Sequence, residues 1–345
     1  MLSRKTSLLR TLAFAFMGLA FAAGVRADLA WSAQTGWRVE GGALSGLTGP
    51  DGPKALDLMN QAREAEEKGS IHHAIKLYLR VANKYSSSIY APEAYFRTAH
   101  LYLNRRQYYK AFENFQNVIA RYPNEKRFDD IIGEEYHIAS LLLDGARNHI
   151  WGWLPGFRSK ERGIAYFGAV VGNAPYGDYA PLALMAAARG HEALRNNDEA
   201  IDALDQMVNT YQDSVLVPYA YLELARMHAT LVEGPYYDQA ETKQAITYYE
   251  DFMILFPGDP NIAKAAQGLD NMKQVLSDSK LKIGDFYFYK RDNFTAARVF
   301  YNEAITAYPD SAVAKRAKQR LLLVDAKASG TLLPVEAKKK HFLFF

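Results

Sequence analysis

One pattern recurs six times along the 345 residues and leaves the chain few ways to fold. It consists of a small residue, a bulky one four later, an apolar one three later, and usually an aromatic one four beyond that. The copies read Ala74, Tyr78, Val81, Tyr85; Ala111, Phe115, Val118, Tyr122; Gly163, Phe167, Val170, Ala174; Ala200, Leu204, Met207, Tyr211; Ala245, Tyr249, Phe252, Phe256; and Ala297, Tyr301, Ala304, Tyr308. Offsets of 4, 7 and 11 hold all four side chains on one stripe of an α-helix, and strands cannot produce them. Proline follows directly in four copies, as Pro123, Pro175, Pro257 and Pro309. Because proline disfavours helical geometry in the residue before it, each of those helices is expected to stop there.

A partner helix precedes several of these stripes. Ala62, Ala99 and Ala188 each stand twelve residues before Ala74, Ala111 and Ala200. Small residues at both points let two antiparallel helices approach closely. In this the chain resembles the tetratricopeptide repeat family over residues 54–325, which implies an all-α, right-handed α-α superhelix of about six helical pairs that binds other proteins.

The last stripe residues fall at 85, 122, 174, 211, 256 and 308, so the steps are uneven. The excess over ~34 residues per repeat must sit in insertions, expected at residues 140–162 and 231–240. Residues 262–290 contain no proline and read as one or two helices leading into the last copy. Residues 28–53 are rich in glycine and lack a helical period, so they read as an extended segment pinned by Trp31 and Trp37. Residues 326–345 form a basic and aromatic tail.

Residues 1–27 read as an export signal. They carry Arg4, Lys5 and Arg10, then an apolar run over 11–23, then Val25-Arg26-Ala27. An apolar run of that length is shorter than the about 20 residues a membrane span needs. The chain has 41 Lys and Arg against 38 Asp and Glu. Without Arg4, Lys5, Arg10 and Arg26 the balance is 37 against 38, so nothing marks the mature protein for nucleic acid. On that signal the mature protein is expected to be exported. With no cysteine anywhere, a thiol nucleophile, a thiolate metal site and a lipid anchor on cysteine are all excluded.

Motifs of chemistry are missing. There is no nucleophile elbow, no phosphate loop ending in Gly-Lys-Ser/Thr and no H-E-x-x-H. Glu134 and His137 make one E-x-x-H, whereas a di-iron bundle needs two plus further carboxylates. His72 and His73 are adjacent and diverge on a helix. His191 and His228 follow small residues by three and read as packing positions. Asn293-Phe294-Thr295 matches a glycosylation sequon but stands at a helix start, where Asn caps. Neither a catalytic residue nor a cofactor or metal site is expected. A binding protein of this kind should offer a shallow groove lined by Tyr, Asn and Arg; an enzyme would need a deep cleft of converging Glu, His and Asp.

Two segments read as contact sites. Trp151-Gly152-Trp153-Leu154-Pro155-Gly156-Phe157-Arg158 lies in an insertion and either folds its rings back onto the helices or presents them to a protein partner or a membrane surface. The terminus, Lys338-Lys339-Lys340-His341-Phe342-Leu343-Phe344-Phe345, joins lysines to apolar residues and suits peripheral contact with an anionic membrane. Phe342 and Phe345 are its candidate contact residues; ending on Phe also resembles the terminal aromatic signal of outer-membrane β-strands.

A narrower resemblance lies near the end of the repeats. Leu281-Lys282-Ile283-Gly284-Asp285-Phe286-Tyr287, Asn293-Phe294-Thr295-Ala296-Ala297 and Ala307-Tyr308-Pro309-Asp310-Ser311 are similar to the last repeat of BamD-type outer-membrane assembly lipoproteins. Tyr90-Ala91-Pro92-Glu93-Ala94-Tyr95 and Tyr179-Ala180-Pro181-Leu182-Ala183 look like that family's inter-repeat phrasing. The resemblance implies a periplasmic scaffold docked to the insertase barrel and its POTRA domains. Two departures stand out: the family's lipidated cysteine is missing, and Phe300 stands where the family usually has a docking arginine. The competing expectation is a periplasmic organiser of cell-wall or envelope-constriction machinery. Its relatives often carry an N-terminal coiled coil, for which residues 28–53 are too short and too rich in glycine.

Overall fold

The computed structural model describes residues 28–40 and 51–330. Residues 1–27, where the export signal is expected, and the tail residues Phe342 and Phe345 lie outside the described residues. The chain divides after Tyr179 into two compact units.

The first unit opens with a β-hairpin, β1 (Asp28–Ser32) and β2 (Gly36–Glu40), in which Trp31 faces Trp37. Gly36 turns the chain with φ +69°, and a Cβ there would lie 2.7 Å from Asn60 Oδ1. That same oxygen accepts the Trp37 backbone N–H at 2.9 Å. The hairpin is thereby docked on the first helix, with Trp37 buried and Trp31 under the Arg63 guanidinium at 4.4 Å. Three helical pairs follow: α1 (Gly52–Glu67) with α2 (Ile71–Lys84), α3 (Ala91–Asn104) with α4 (Tyr108–Arg121), and α5 (Phe128–Leu143) with α6 (Lys160–Asn173). Between α5 and α6 sits a small hairpin, β3 (His149–Ile150) and β4 (Leu154–Pro155).

In the second unit, α7 (Tyr179–Ala193), which starts at the boundary, is followed by α8 (Asn197–Thr210), α9 (Val217–Thr230) and α10 (Ala240–Leu255). Then come α11 (Ile262–Lys290), α12 (Phe294–Ala307) and α13 (Ala312–Ala328). The fold is all-α apart from the two short hairpins, and within each unit the helical hairpins pack in chain order as tetratricopeptide pairs do.

The six stripes are the core. In every copy the first three stripe residues are buried. The fourth closes the helix: Tyr85, Tyr122, Ala174, Tyr211, Phe256 and Tyr308 are all C-caps. In the first five copies the cap N–H still donates to the carbonyl of the third stripe residue, at 2.8–3.1 Å. The residue is thus still tethered to the helix while its φ and ψ have left it, as proline requires after Tyr122, Ala174 and Phe256; Tyr85 and Tyr211 end their helices the same way without one. The small first residue is a close-approach point. A Cβ on Gly163 would lie 2.9 Å from both Ala139 O and Leu143 N, so α6 rests on the backbone of α5.

The 29 residues of α11 form one unbroken helix, about 43 Å long at 1.5 Å per residue. Its first half supplies Ala265 and Leu269 to a cluster with Ala245, Tyr249 and Phe252, and its second half supplies Leu281 and Phe288 to a cluster with Ala297, Tyr301 and Val313. Gly284 is needed because the Tyr301 ring lies over it, 2.6 Å from where a Cβ would be. Asn293 caps α12, its side chain accepting from Ala296 N at 3.0 Å. The second insertion is tied by Gln239, whose Nε2 donates to Gly234 O at 3.0 Å and Tyr237 O at 2.8 Å.

Candidate functional site

A shallow groove of about 330 Å³ opens across α2, α3 and α4, lined by Asn83, Tyr95, Tyr102, Lys110, Asn117 and Arg121 among others. It arises directly from the repeat. Lys110, Asn114, Asn117 and Arg121 stand one residue before each member of the buried stripe of α4, rotated by about 100° from the core. Hydrogen bonds knit the three helices beneath the groove. Tyr95 donates from its hydroxyl to Asn83 Oδ1 at 2.8 Å, and Arg121 Nη1 donates to the Tyr95 oxygen at 2.8 Å. The Asn114 and Asn117 amides donate to the carbonyls of Lys110 and Glu113 at 2.7 and 2.8 Å, which fixes their rotamers. Burial pushes the Tyr102 hydroxyl above its ordinary range, so it remains a donor at neutral pH.

Lys110 lies over the Tyr102 ring at 5.3 Å and Arg121 over the Tyr95 ring at 5.5 Å. Neither pairs with a carboxylate among the described residues. Glu113 is the acid of the lining. The site thus combines two cations without acid partners, fixed amides and phenolic hydroxyls on a preorganised surface. Such a set suits the backbone amides and an acidic group of an extended peptide. It matches the Tyr, Asn and Arg groove expected of a binding protein.

The tryptophan insertion does not hide its rings. Trp151 is 65% exposed, Trp153 68% and Phe157 93%, and the two indoles stack on each other with centroids 6.3 Å apart. The segment that carries them is firmly held. His149 N donates to Arg106 O at 2.8 Å, Tyr109 N donates to Asn148 Oδ1 at 3.1 Å, and Arg105 Nη2 donates to Trp151 O at 2.7 Å. Trp151 and Gly152 both have positive φ, +55° and +84°, and a side chain at Gly152 would run into the Arg105 guanidinium. Arg158 is exposed on the same insertion. Phe300 belongs to the second unit, partly buried and stacked on Tyr287 at 5.4 Å with Lys280 over its face.

Sequence reasoning passed over Glu135. It stands on the buried face of α5 between Ile131, Ile138 and Leu142, is itself fully buried, and accepts one hydrogen bond, from Asn173 Nδ2 at 3.0 Å. Burial pushes its carboxyl up to about 8. The signal was present: offsets of 4, 7 and 11 from Ile131 place residue 135 on the apolar stripe. Its neighbours Glu134 and His137 join no cluster of three metal-ligating side chains, nor does any other such cluster occur among the described residues. His228 is buried, its Nδ1 2.7 Å from Glu241 Oε2 and its ring stacked on Tyr248.

The tetratricopeptide repeat family model matches residues 93–125 and 278–311, which are α3 with α4 and the second half of α11 with α12. The match is thus confined to two helical pairs of the described fold. No curated protein matches the chain. Among solved structures it is similar to a tetratricopeptide repeat protein from Parabacteroides merdae, 11% identical, covering 79% of this chain and 100% of that one with a TM-score of 0.31. It is also similar to MamA of Desulfovibrio magneticus, at 15% identity, 62% and 99% coverage and a TM-score of 0.30. A third is PilW, a type IV pilus biogenesis factor, at 13% identity, 77% and 98% coverage and a TM-score of 0.25.

Proposed function

We propose that this chain is a periplasmic scaffold in outer-membrane β-barrel protein assembly, holding an extended partner segment in the groove of α2, α3 and α4. The observation that carries the binding role is that groove: a preorganised polar surface with Lys110 and Arg121 free of acid partners, built on a tetratricopeptide pair. The process is supported by the BamD-type phrasing around Gly284, Asn293 and Pro309, at the end of α11 and along α12. The partners this implies are the insertase barrel and its POTRA domains. Phe300 packs flat on Tyr287, so an arginine-like ionic contact is not available there, and docking must run through other residues. The chain has no cysteine for the lipid anchor of the proteins it resembles, so the reading places its attachment in protein contacts or exposed surface.

The test is photo-crosslinking in cells from positions 83 and 117 in the groove and 300 in the last pair, with adducts identified by mass spectrometry. Recovery of the insertase barrel or its POTRA domains is the expected result. Recovery of cell-wall enzymes or their regulators alone would sink the assembly reading and favour an envelope organiser.

A further inference from the structure

We propose that the insertion carrying Trp151 and Trp153 is a membrane-contact device that seats its aromatic rings in the interface of an anionic bilayer. The argument begins with what is exposed. Ile150, Trp151, Trp153, Leu154 and Phe157 all present large apolar surface, and they occupy the short β3–β4 hairpin and its flank. Rings exposed by 65–93% stand out from the fold, which suits insertion into a fluid layer. Indole is also the side chain best matched to the headgroup region, having an apolar body and one N–H.

The second observation is charge. Residues 144–160 carry Arg147, Arg158 and Lys160 against Asp144. Two more cations, Arg105 and Arg106, come from the turn between α3 and α4, where they hold the hairpin through the Trp151 and His149 backbone. None of these five forms an ion pair with a carboxylate among the described residues. In the same unit Arg63 pairs with Glu66 and Glu67, and Arg97 and Arg127 pair with Glu93, whereas these five cluster at the hairpin without such partners. Cations left without acid partners around an exposed aromatic tip are complementary to a surface of anionic headgroups.

The third is rigidity. A tip held by Asn148, Arg105 and Arg106 is already ordered, so contact costs little conformational freedom.

The full chain is tested by co-sedimentation with vesicles of phosphatidylcholine alone and of phosphatidylcholine with phosphatidylglycerol, alongside the Trp151→Ser/Trp153→Ser variant. The rings make no core contact, so the variant should fold, which circular dichroism checks. Binding is expected only with phosphatidylglycerol, weakening by about fivefold for each cation neutralised and by about tenfold or more in the double variant. Acyl-chain bromination should quench the tryptophan emission of the native chain and leave the double variant unquenched, because both remaining tryptophans are packed in the N-terminal hairpin, Trp37 buried and Trp31 half-buried under Arg63. Retained binding in the double variant would overturn the proposal by placing the contact elsewhere. So would absence of vesicle binding with crosslinks from position 153 to a protein, which would make the tip a protein-docking element.

Discussion

Replacing Glu135 by Gln should stabilise the protein at neutral pH, by an amount that depends on pH. In the fold the carboxyl is buried on α5 with one donor, Asn173, and holds its proton up to about 8; its ordinary value is 4.5. Below pH 4.5 both folded and unfolded chains are protonated at this site and nothing is lost. Between 4.5 and about 8 the unfolded chain releases the proton while the folded one keeps it, so stability falls as pH rises. Above that the loss levels off. The full gap corresponds to about 5 kcal/mol, and the part reached at pH 7 to about 3 kcal/mol. Gln keeps the acceptor for Asn173 and has no proton to release in this range. Gln116 also faces this carboxyl, and turning its amide over offers its carbonyl to the new N–H₂. Urea unfolding of both proteins should give equal midpoints near pH 4 and a clearly higher midpoint for the variant near pH 7. A difference that stays constant across that range would refute the reasoning, because it would mean that Glu135 is ionised in the fold.

Two glycines of α6 should respond oppositely to alanine. Gly163→Ala puts a methyl against the α5 backbone and should destabilise by about 1–3 kcal/mol, whereas the exposed Gly168 has nothing within 4 Å and its alanine variant should gain about 0.5–1 kcal/mol; thermal melts read both. Glu93, which is buried, accepts from Arg97 at 2.7 Å and Arg127 at 2.6 Å. Glu93→Ala should cost about 2 kcal/mol by denaturant titration, less than for a fully buried pair because each arginine remains about a third exposed.

What could be read from the sequence is what depends on near neighbours along the chain. The stripe from Ala111 to Tyr122 names the core and, with Pro123 behind it, the end of its helix, because helical period and the following residue act within a dozen positions. The same holds for the Asn293 cap; over residues 262–290 the absence of proline leaves one or two helices open, and the structure makes them one, α11. What depended on distant residues was hidden. The strands around Trp31 and Trp37 form where Asn60 meets the Trp37 backbone, 23 residues away. The outward pose of Trp151 is set by Arg105, 46 residues away. The groove is a property of three helices at once, joined through Asn83, Tyr95 and Arg121, and no one of them announces it alone. Glu135 is the exception, since its stripe was visible and was passed over.

The unbroken α11 also has a mechanical meaning. Most neighbouring pairs in this chain meet at a turn, where a small rotation can be absorbed. Between the Tyr249 cluster and the Tyr301 cluster there is no such joint, only a rod of about 43 Å gripped at both ends. Such a rod is a lever. A tilt of about 5° imposed near Phe288 moves the far end by about 4 Å, since displacement scales with a length of 1.5 Å per residue. A load applied to the last repeat is therefore felt at Ala265 as movement, with no hinge between them to dissipate it.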